Sequence, residues 1–496
     1  MRMAIPYGVL PKDIHTNWLS VRAGYSKSKW VENGSDNIIY PSLPANNLFE
    51  LLTENNPSRS HYIDISANIQ LKDLPERKHI RRFNLTYGYR NEFRFGKRQI
   101  ERNKSDENND DITAPSLSGM QGWIMDVANS YLTTERTQSH ELYPILSYST
   151  KGFGIKLNPL LTFLHRSMHD YRNLTRTDLQ RNDMQYNIGL TIDNNNQANS
   201  RYITFRIRNM APSMNYLMDV RDNSNPLFVS LGNSGLKQSI QYVVTAGMSG
   251  SKTSRQRMYN LSISASKTDR AFAMARTFDQ TTGVLTSRPE NINGNWRIDM
   301  PMEYSRTLDR KDHIYFSNRI EPRFEHSVDY SSILGSTVRK SAVDGWNIKD
   351  NLLLRYKVTE AINLSAKVDF DWHRLKSLDN VFTTMSYFDV NYGIGFKARL
   401  PWEIDLDTDV MAYCRRGYGD PTMNRTDWVW NLQVMKTLGR SKEWTIKAIG
   451  FDLLHQLPTI KRTLTAQGTT ETSYNSQPAY ALLTLTYRLD IKPKRK

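Results

Sequence analysis

From Ile362 to Trp372 the chain alternates without a miss. Ile362, Leu364, Ala366, Val368, Phe370 and Trp372 are apolar, and Asn363, Ser365, Lys367, Asp369 and Asp371 between them are polar. Successive side chains of a strand point to opposite faces, so such a stretch folds with one greasy face and one wet face. Ile63, Ile65, Ala67, Ile69 and Leu71 repeat the pattern against Asp64, Ser66, Asn68, Gln70 and Lys72. Phe388, Val390, Tyr392, Ile394, Phe396 and Ala398 do so against Asp389, Asn391, Gly393, Gly395, Lys397 and Arg399. Each run is close to the ~9–11 tilted residues that cross a hydrocarbon layer. A slip of one residue would put the charges into lipid, so the register is strongly specified.

Alternation, with breaks at Gly, Pro, Asn and Asp clusters, predicts about eighteen strands. They lie near 17–26, 60–72, 80–95, 141–150, 153–165, 183–193, 201–210, 238–248, 257–268, 295–304, 313–330, 346–358, 362–373, 386–398, 403–414, 427–437, 443–453 and 479–489. Brief links near 73–79, 151–152, 194–200, 249–256, 305–312, 359–361, 399–402 and 438–442 are each followed by a longer one, such as 96–140, 211–237, 269–294 or 454–478. Bacterial barrels have short periplasmic turns and long extracellular loops, so the brief set marks the periplasmic side. The predicted fold is all-β, an antiparallel transmembrane β-barrel over 17–489, with a periplasmic lead-in at 1–16 and a basic tail at 490–496.

A hydrophobic share of 39% and a mean hydropathy of −0.61 would by themselves suggest a soluble protein. A barrel is polar on average because half of every spanning strand faces the lumen. No apolar run approaches the ~18 residues of a transmembrane helix; Pro159–Leu164 is typical of the longest. The net charge of +16 comes from Lys and Arg spread through turns, loops and lumen-facing positions, with no basic helix or binding module. That pattern excludes nucleic acid as a partner and assigns much of the charge to lipid head groups, lipopolysaccharide among them, and to the lumen lining. Many of the 10 Trp and 26 Tyr stand near strand ends, where amphipathic rings favour the head-group level. The single cysteine, Cys414, excludes an internal disulfide and is in phase with Ile404, Leu406, Val410 and Ala412, as a small apolar filler. Met1–Gly8 has no apolar core of signal-peptide length, so the expectation for an exported barrel is a leader upstream.

Candidates for chemistry are few. His165 and His169 share one strand face, yet neither they nor Asp170 find a clear third ligand, and a solvated loop is the expected setting. Asp106 to Asp111 is acidic but lacks the spacing, Gly turn and closing Glu of a calcium loop. No GxSxG, phosphate-cradling loop or HExxH occurs, so neither an enzyme nor a cofactor is expected. The group on the polar phase is Arg90, Glu92 and Arg94, Arg206 and Arg208, Arg319, Glu321 and Arg323, Lys367, Asp369 and Asp371, and Lys397 and Arg399. These are candidate lumen-facing residues that line the wall by pairing and holding water, with substrate contact as the lesser alternative.

Arg208 to Lys237 reads RNMAPSMNYLMDVRDNSNPLFVSLGNSGLK. It resembles a stretch of the TonB-dependent receptors and the related outer-membrane β-barrel family of Bacteroidetes. There an Arg strand enters an Ala-Pro-Ser turn, followed by Asp-Asn-x-Asn-Pro-Leu and Gly-Asn-Pro-x-Leu-Lys-Pro-Glu. The matching residues are Ala211, Pro212, Ser213, Asp222, Asn223, Asn225, Pro226, Leu227, Gly232, Asn233, Leu236 and Lys237, while Ser234 and Gln238 stand where the family usually has proline. Asp452-Leu453-Leu454-His455-Gln456 is similar to the family's Asp-x-x-Asn-Gln element, and Ala481–Leu489 to its closing strand. The resemblance implies a 22-stranded parent with a signal peptide, a plug and an N-terminal segment that contacts TonB, none of them visible in this sequence. It also implies uptake of an unspecified nutrient across the outer membrane. The alternative is a passive outer-membrane pore, or a surface-binding barrel without energised transport.

Overall fold

The computed structural model describes residues 2–3, 14–38, 48–72, 82–105, 123–127, 130–150, 152–194, 199–225, 228–252, 257–279, 283–331, 339–378, 383–419, 421–439, 442–457, 460–465, 468–473 and 479–488. Their dominant element is one antiparallel, barrel-type sheet of 22 strand segments. Two of its segments, Arg2–Met3 and Trp123–Met125, are short additions, and two spans are each built from two segments, which leaves eighteen long spans. In chain order these are Ile14–Ile38 (β1), Leu48–Lys72 (β2), Arg82–Ser105 (β3), Tyr131–Leu142 with Ile145–Thr150 (β4), Phe153–Arg172 (β5) and Thr175–Asn194 (β6). Next come Asn199–Met210 (β7), Ser239–Lys252 (β8), Arg257–Asp269 (β9), Asn295–Asp299 with Met302–Thr307 (β10), Ile314–Ser331 (β11) and Arg339–Lys357 (β12). The last six are Ile362–Ser377 (β13), Met385–Leu400 (β14), Ile404–Arg416 (β15), Thr426–Leu438 (β16), Trp444–Phe451 (β17) and Tyr480–Tyr487 (β18). Each pairs antiparallel with the next, so the topology is an up-and-down meander.

The apolar face of this sheet is the exposed one. Ile63, Ile65, Phe205, Val244, Ile263, Trp346, Leu364, Tyr392 and Ile394 all stand on it, Ile394 with 69% of its surface free. Leaving an Ile, Leu, Val or Phe in water forgoes about 1.5–3 kcal/mol. Dozens of large apolar side chains are exposed here, and their summed cost in water would exceed the ~5–15 kcal/mol net stability of a domain. The face therefore requires a hydrocarbon surrounding, and no helix among the described residues is long and apolar enough to supply a different span.

Two expectations about the links are corrected. The stretch 166–182 is no loop: β5 and β6 run on to a two-residue turn at Asn173 and Leu174. Both turn residues have positive φ, 46° and 60°, the conformation that suits the twist of a tight hairpin. His165, His169 and Asp170 accordingly lie inside β5. Link lengths also do not alternate strictly, because the strands project beyond the apolar band at the end where long loops were expected, and only seven residues, 332–338, join β11 to β12. At that end the remaining long links are 106–130, 211–238, 270–294 and 452–479.

The strand at the chain's start begins at Ile14, inside the stretch read as a lead-in, and Arg2 and Met3 pair with its Ser20 and Leu19. Among the described residues no pairing joins β18 to β1, the two outermost long spans. An edge of that kind is costly in lipid because its amides find no water. Pro226, Leu227, the acidic run 106–111 and the tail 490–496 lie outside the described residues, as do the side chains of Asn223 and Asn225.

Candidate functional site

On the polar face the charged residues form ladders. Glu92, buried, accepts from Arg90 Nη2 at 2.8 Å and Arg94 Nε at 2.5 Å. Between strands Arg323 Nε meets Asp299 Oδ1 at 2.6 Å, and along β11 Arg319 Nε meets Glu321 Oε1 at 2.5 Å. Lys367 pairs with Asp369 at 2.6 Å, Lys397 with Asp407 at 2.7 Å and Arg399 with Asp405 at 2.8 Å. Arg206 lies across from Gly189 and Val243 on the same face, and Arg208 donates to Gln241 Oε1 at 2.7 Å. Exposed pairs contribute only about 0.2–1 kcal/mol each, so their main effect is to offset part of the positive charge along the polar face.

The feature that breaks this uniformity is the link between β7 and β8, which folds onto the polar face. It carries a single helical turn, Met214–Leu217, and buries Met214, Leu217, Met218 and Leu236 against Met168 of β5. Gly232 is required there: a Cβ would stand 1.6 Å from the Met218 carbonyl oxygen. Asn233 donates from Nδ2 to Pro289 O at 2.9 Å and accepts from Gly235 N at 3.0 Å. The Lys237 amide donates to Asn291 Oδ1 at 2.8 Å, and Asn291 Nδ2 returns a bond to Lys237 O at 3.0 Å. Asp222 pairs with Ser230 in a small sheet, where Phe228–Ser230 runs parallel to Leu285–Ser287 of the 270–294 hairpin. The motif residues thus stitch one link to another.

Asp183 of β6 fixes both ends of the segment. It pairs with Arg166 of β5, whose Nη1 donates to Pro212 O at 2.8 Å, and it accepts from Gln238 Nε2 at 3.0 Å and Arg181 Nε at 2.8 Å. Arg166 and Asp183 are both buried.

Between segment and wall lies a cavity of about 450 Å³. Arg98, Tyr131, Asp170 and Arg172 line it from the wall, and Tyr216 and Asp222 from the segment. Arg172 is its centre: the guanidinium carbon sits 4.1 Å from the Tyr131 ring centroid, Nη1 lies 3.0 Å from Asp222 Oδ1, and Nε lies 3.5 Å from Asp170 Oδ1. Thr133 Oγ1 donates to Asp170 Oδ2 at 2.8 Å, and Arg98 is held by Glu54 at 2.7 Å. With charges of both signs and two phenol rings, the cavity suits a polar solute that both donates and accepts hydrogen bonds. Among the described residues no group of three or more His, Cys, Asp or Glu could hold a metal ion.

Sequence reading missed Arg166, Asp183, Asp170 as a wall residue, Arg172 and Tyr131. Phase was the available signal, since Arg166, Met168, Asp170 and Arg172 continue the inward positions of β5 beyond Phe163. His165 and His169 point the other way, to Asn182 Oδ1 at 2.6 Å and Asp178 Oδ1 at 2.7 Å. The Asp452 element forms a tight turn in which its carboxylate accepts from Gln456 N at 3.1 Å and Leu457 N at 2.9 Å.

No protein-family model and no curated protein matches the chain. Similar solved structures include the copper transporter OprC, at 7% identity and TM-score 0.42 over 88% of this chain and 74% of that one. Others are the siderophore receptors PirA from Pseudomonas aeruginosa (9%, 0.35, 95% and 80%) and PiuA from Acinetobacter baumannii (10%, 0.38, 96% and 80%). Likenesses this loose identify neither a family nor a ligand.

Proposed function

We propose that the chain is the barrel of a TonB-dependent-receptor-like outer-membrane protein that takes part in nutrient uptake. The single observation that carries this reading is the two-faced sheet, apolar outside and charged within, with the 211–237 segment folded onto its polar face. The motif residues of that segment support the family assignment, since Asp222, Gly232, Asn233, Leu236 and Lys237 each hold its shape. The cavity beside Arg172 is where an incoming polar solute is bound, and Asp222 and Tyr216 are the residues that meet it from the segment.

The test has two stages. Exported protein is fractionated, and heat-modifiable, folded chain is expected in the outer membrane; recovery in the soluble fraction overturns the reading. Folded protein is then placed in liposomes with graded sugars outside. On this reading the cavity binds the solute, so one class of solute should slow the swelling saturably and lose that effect in Arg172→Gln. Swelling that depends on sugar size alone, and is the same in both proteins, would favour the passive pore instead.

A further inference from the structure

A row of cations crosses the lipid-facing side of the sheet where its apolar band ends. In register, Lys27 of β1 stands opposite Arg59 of β2, Arg59 opposite Phe95 of β3, and Phe95 opposite Arg136 of β4. These positions share the outward phase of Tyr25, Ile63 and Phe163, which are 67%, 52% and 44% exposed. Lys27, Arg59 and Arg136 are exposed as well. The two guanidinium carbons reach the Phe95 ring from both neighbouring strands, at 5.0 Å and 6.0 Å from its centroid.

Among the described residues no carboxylate lies within ion-pair distance of the three. The outward carboxylate Asp178 on β6 is already held by Arg176 and His169, each at 2.7 Å. This contrasts with the inner face, where most of the cations have an anion beside them. Outward positions one step below the row are aromatic or amide (Tyr25, His61, Phe93, Gln138); two steps below, Ala23 and Ile63 are apolar while Asn91 and His140 are polar, and the level after that is apolar or aromatic throughout (Val21, Ile65, Tyr89, Leu142). One step above it stand Lys29, Pro57, Lys97 and Thr134, so the outward side is polar and cationic there. The row therefore sits at the head-group level, where long cationic side chains reach out of the hydrocarbon. Strands lie about 4.8 Å apart, so the cations span a width of roughly 14 Å, suited to an anion carried on a bulky head group.

We infer that Lys27, Arg59 and Arg136 form a binding site for the phosphate groups of a phosphorylated lipid head group in the facing leaflet. Arg-phosphate bonds are short and charge-assisted, and the Phe95 ring holds both guanidinium planes in place while its edge meets the acyl region. The inference rests on the membrane reading proposed above.

Folded protein in detergent micelles is titrated with diphosphorylated lipid A, with the dephosphorylated lipid and inorganic phosphate as the other arms. Binding of the diphosphorylated form is expected, weakened roughly a hundredfold by Lys27→Gln, Arg59→Gln and Arg136→Gln together. Lys397→Gln, on the polar face, should leave it unchanged. Phe95→Leu keeps every charge and should weaken binding several-fold, which reports on the site even if the triple variant folds poorly. Binding of the dephosphorylated lipid with equal affinity, displacement by equimolar inorganic phosphate, or an unaffected triple variant each overturns the site. Loss of membrane insertion would undo both readings, whereas inserted protein with unaltered lipid binding undoes only this one.

Discussion

Arg166 and Asp183, on neighbouring strands, form a buried ion pair whose two members hold opposite ends of the same inward-folded segment. Arg166 reaches Pro212 at its start and Asp183 reaches Gln238 at its end. Removing one member of such a pair leaves the other charged and buried, at a cost of about 3–5 kcal/mol. Asp183→Ala should therefore release the segment while the strands persist. Trypsin cleavage at Arg221 or Lys237 is expected to speed up about a hundredfold or more, with folded mobility on unheated gels retained. Unchanged cleavage would mean that the apolar contacts of Met168 hold the segment alone.

Gly232→Ala tests the same segment from inside. The added methyl meets a backbone carbonyl at 1.6 Å, so the chain must move rather than a flexible side chain. A destabilisation of the segment by about 2–4 kcal/mol is expected, read as faster amide exchange at Met218, Asn233 and Leu236 with the exchange of β13 and β14 unaltered.

Leu174 is fully exposed and held at φ 60°. A left-handed side-chain residue costs about 1–2 kcal/mol, and glycine returns roughly 0.5–1 kcal/mol of that through its freer unfolded chain. Leu174→Gly should thus stabilise the β5–β6 hairpin by about 0.5–1 kcal/mol. Urea unfolding in micelles would show a higher midpoint at the same slope; a lower midpoint would assign Leu174 a contact that its exposure argues against.

How much of this was legible depends on what surrounds each stretch. Ile362–Trp372 was readable because hydrocarbon touches one face and water the other, which imposes a period of two on the sequence. Between Leu164 and Asp183 both faces are wet or protein-covered, and the alternation vanishes, so extended strands read as a loop. Met168 compounds this: it faces inward, where polar residues were expected, because Met214 and Leu217 cover it. No local pattern announces partners that arrive from 46 and 49 residues downstream (214 − 168 and 217 − 168). The motif at Asp222–Lys237 marked the right segment, but its residues turned out to bond with the 270–294 hairpin and with Arg172, contacts that only the folded sheet creates.

Asp309 governs a short turn between β10 and β11. Its carboxylate accepts from the amides of Ile314 at 2.8 Å and Lys311 at 3.2 Å. These donors, Ile314 foremost, hold its pKa below the usual carboxylate value. A depressed folded pKa stabilises the turn above the unfolded carboxylate value of about 3.9, and that stabilisation is lost as pH falls through the lower folded value. The turn should stay closed at pH 5 and open on acidification below about 3.9. Amide exchange at Ile314, corrected for its intrinsic pH dependence, should show that rise in the native chain and none in Asp309→Asn.

Ile394 offers the most direct trial of the lipid-facing face. It is 69% exposed, between Ala366 and Val410 on adjacent strands, midway along β14. If water surrounded this face, Ile394→Arg would be neutral or would improve solubility. In hydrocarbon, an arginine near the midplane costs about 2–4 kcal/mol, enough to lower the folded fraction in vesicles by roughly thirty- to a thousandfold relative to unfolded chain. Lys367→Ala, one strand away on the polar face, removes only an exposed pair with Asp369 and should shift stability by less than about 1 kcal/mol. Folding both variants into phosphatidylcholine vesicles, with urea titration read by Trp fluorescence, separates the two faces. Equal stability of the two variants would remove the physical ground for placing this chain in a membrane.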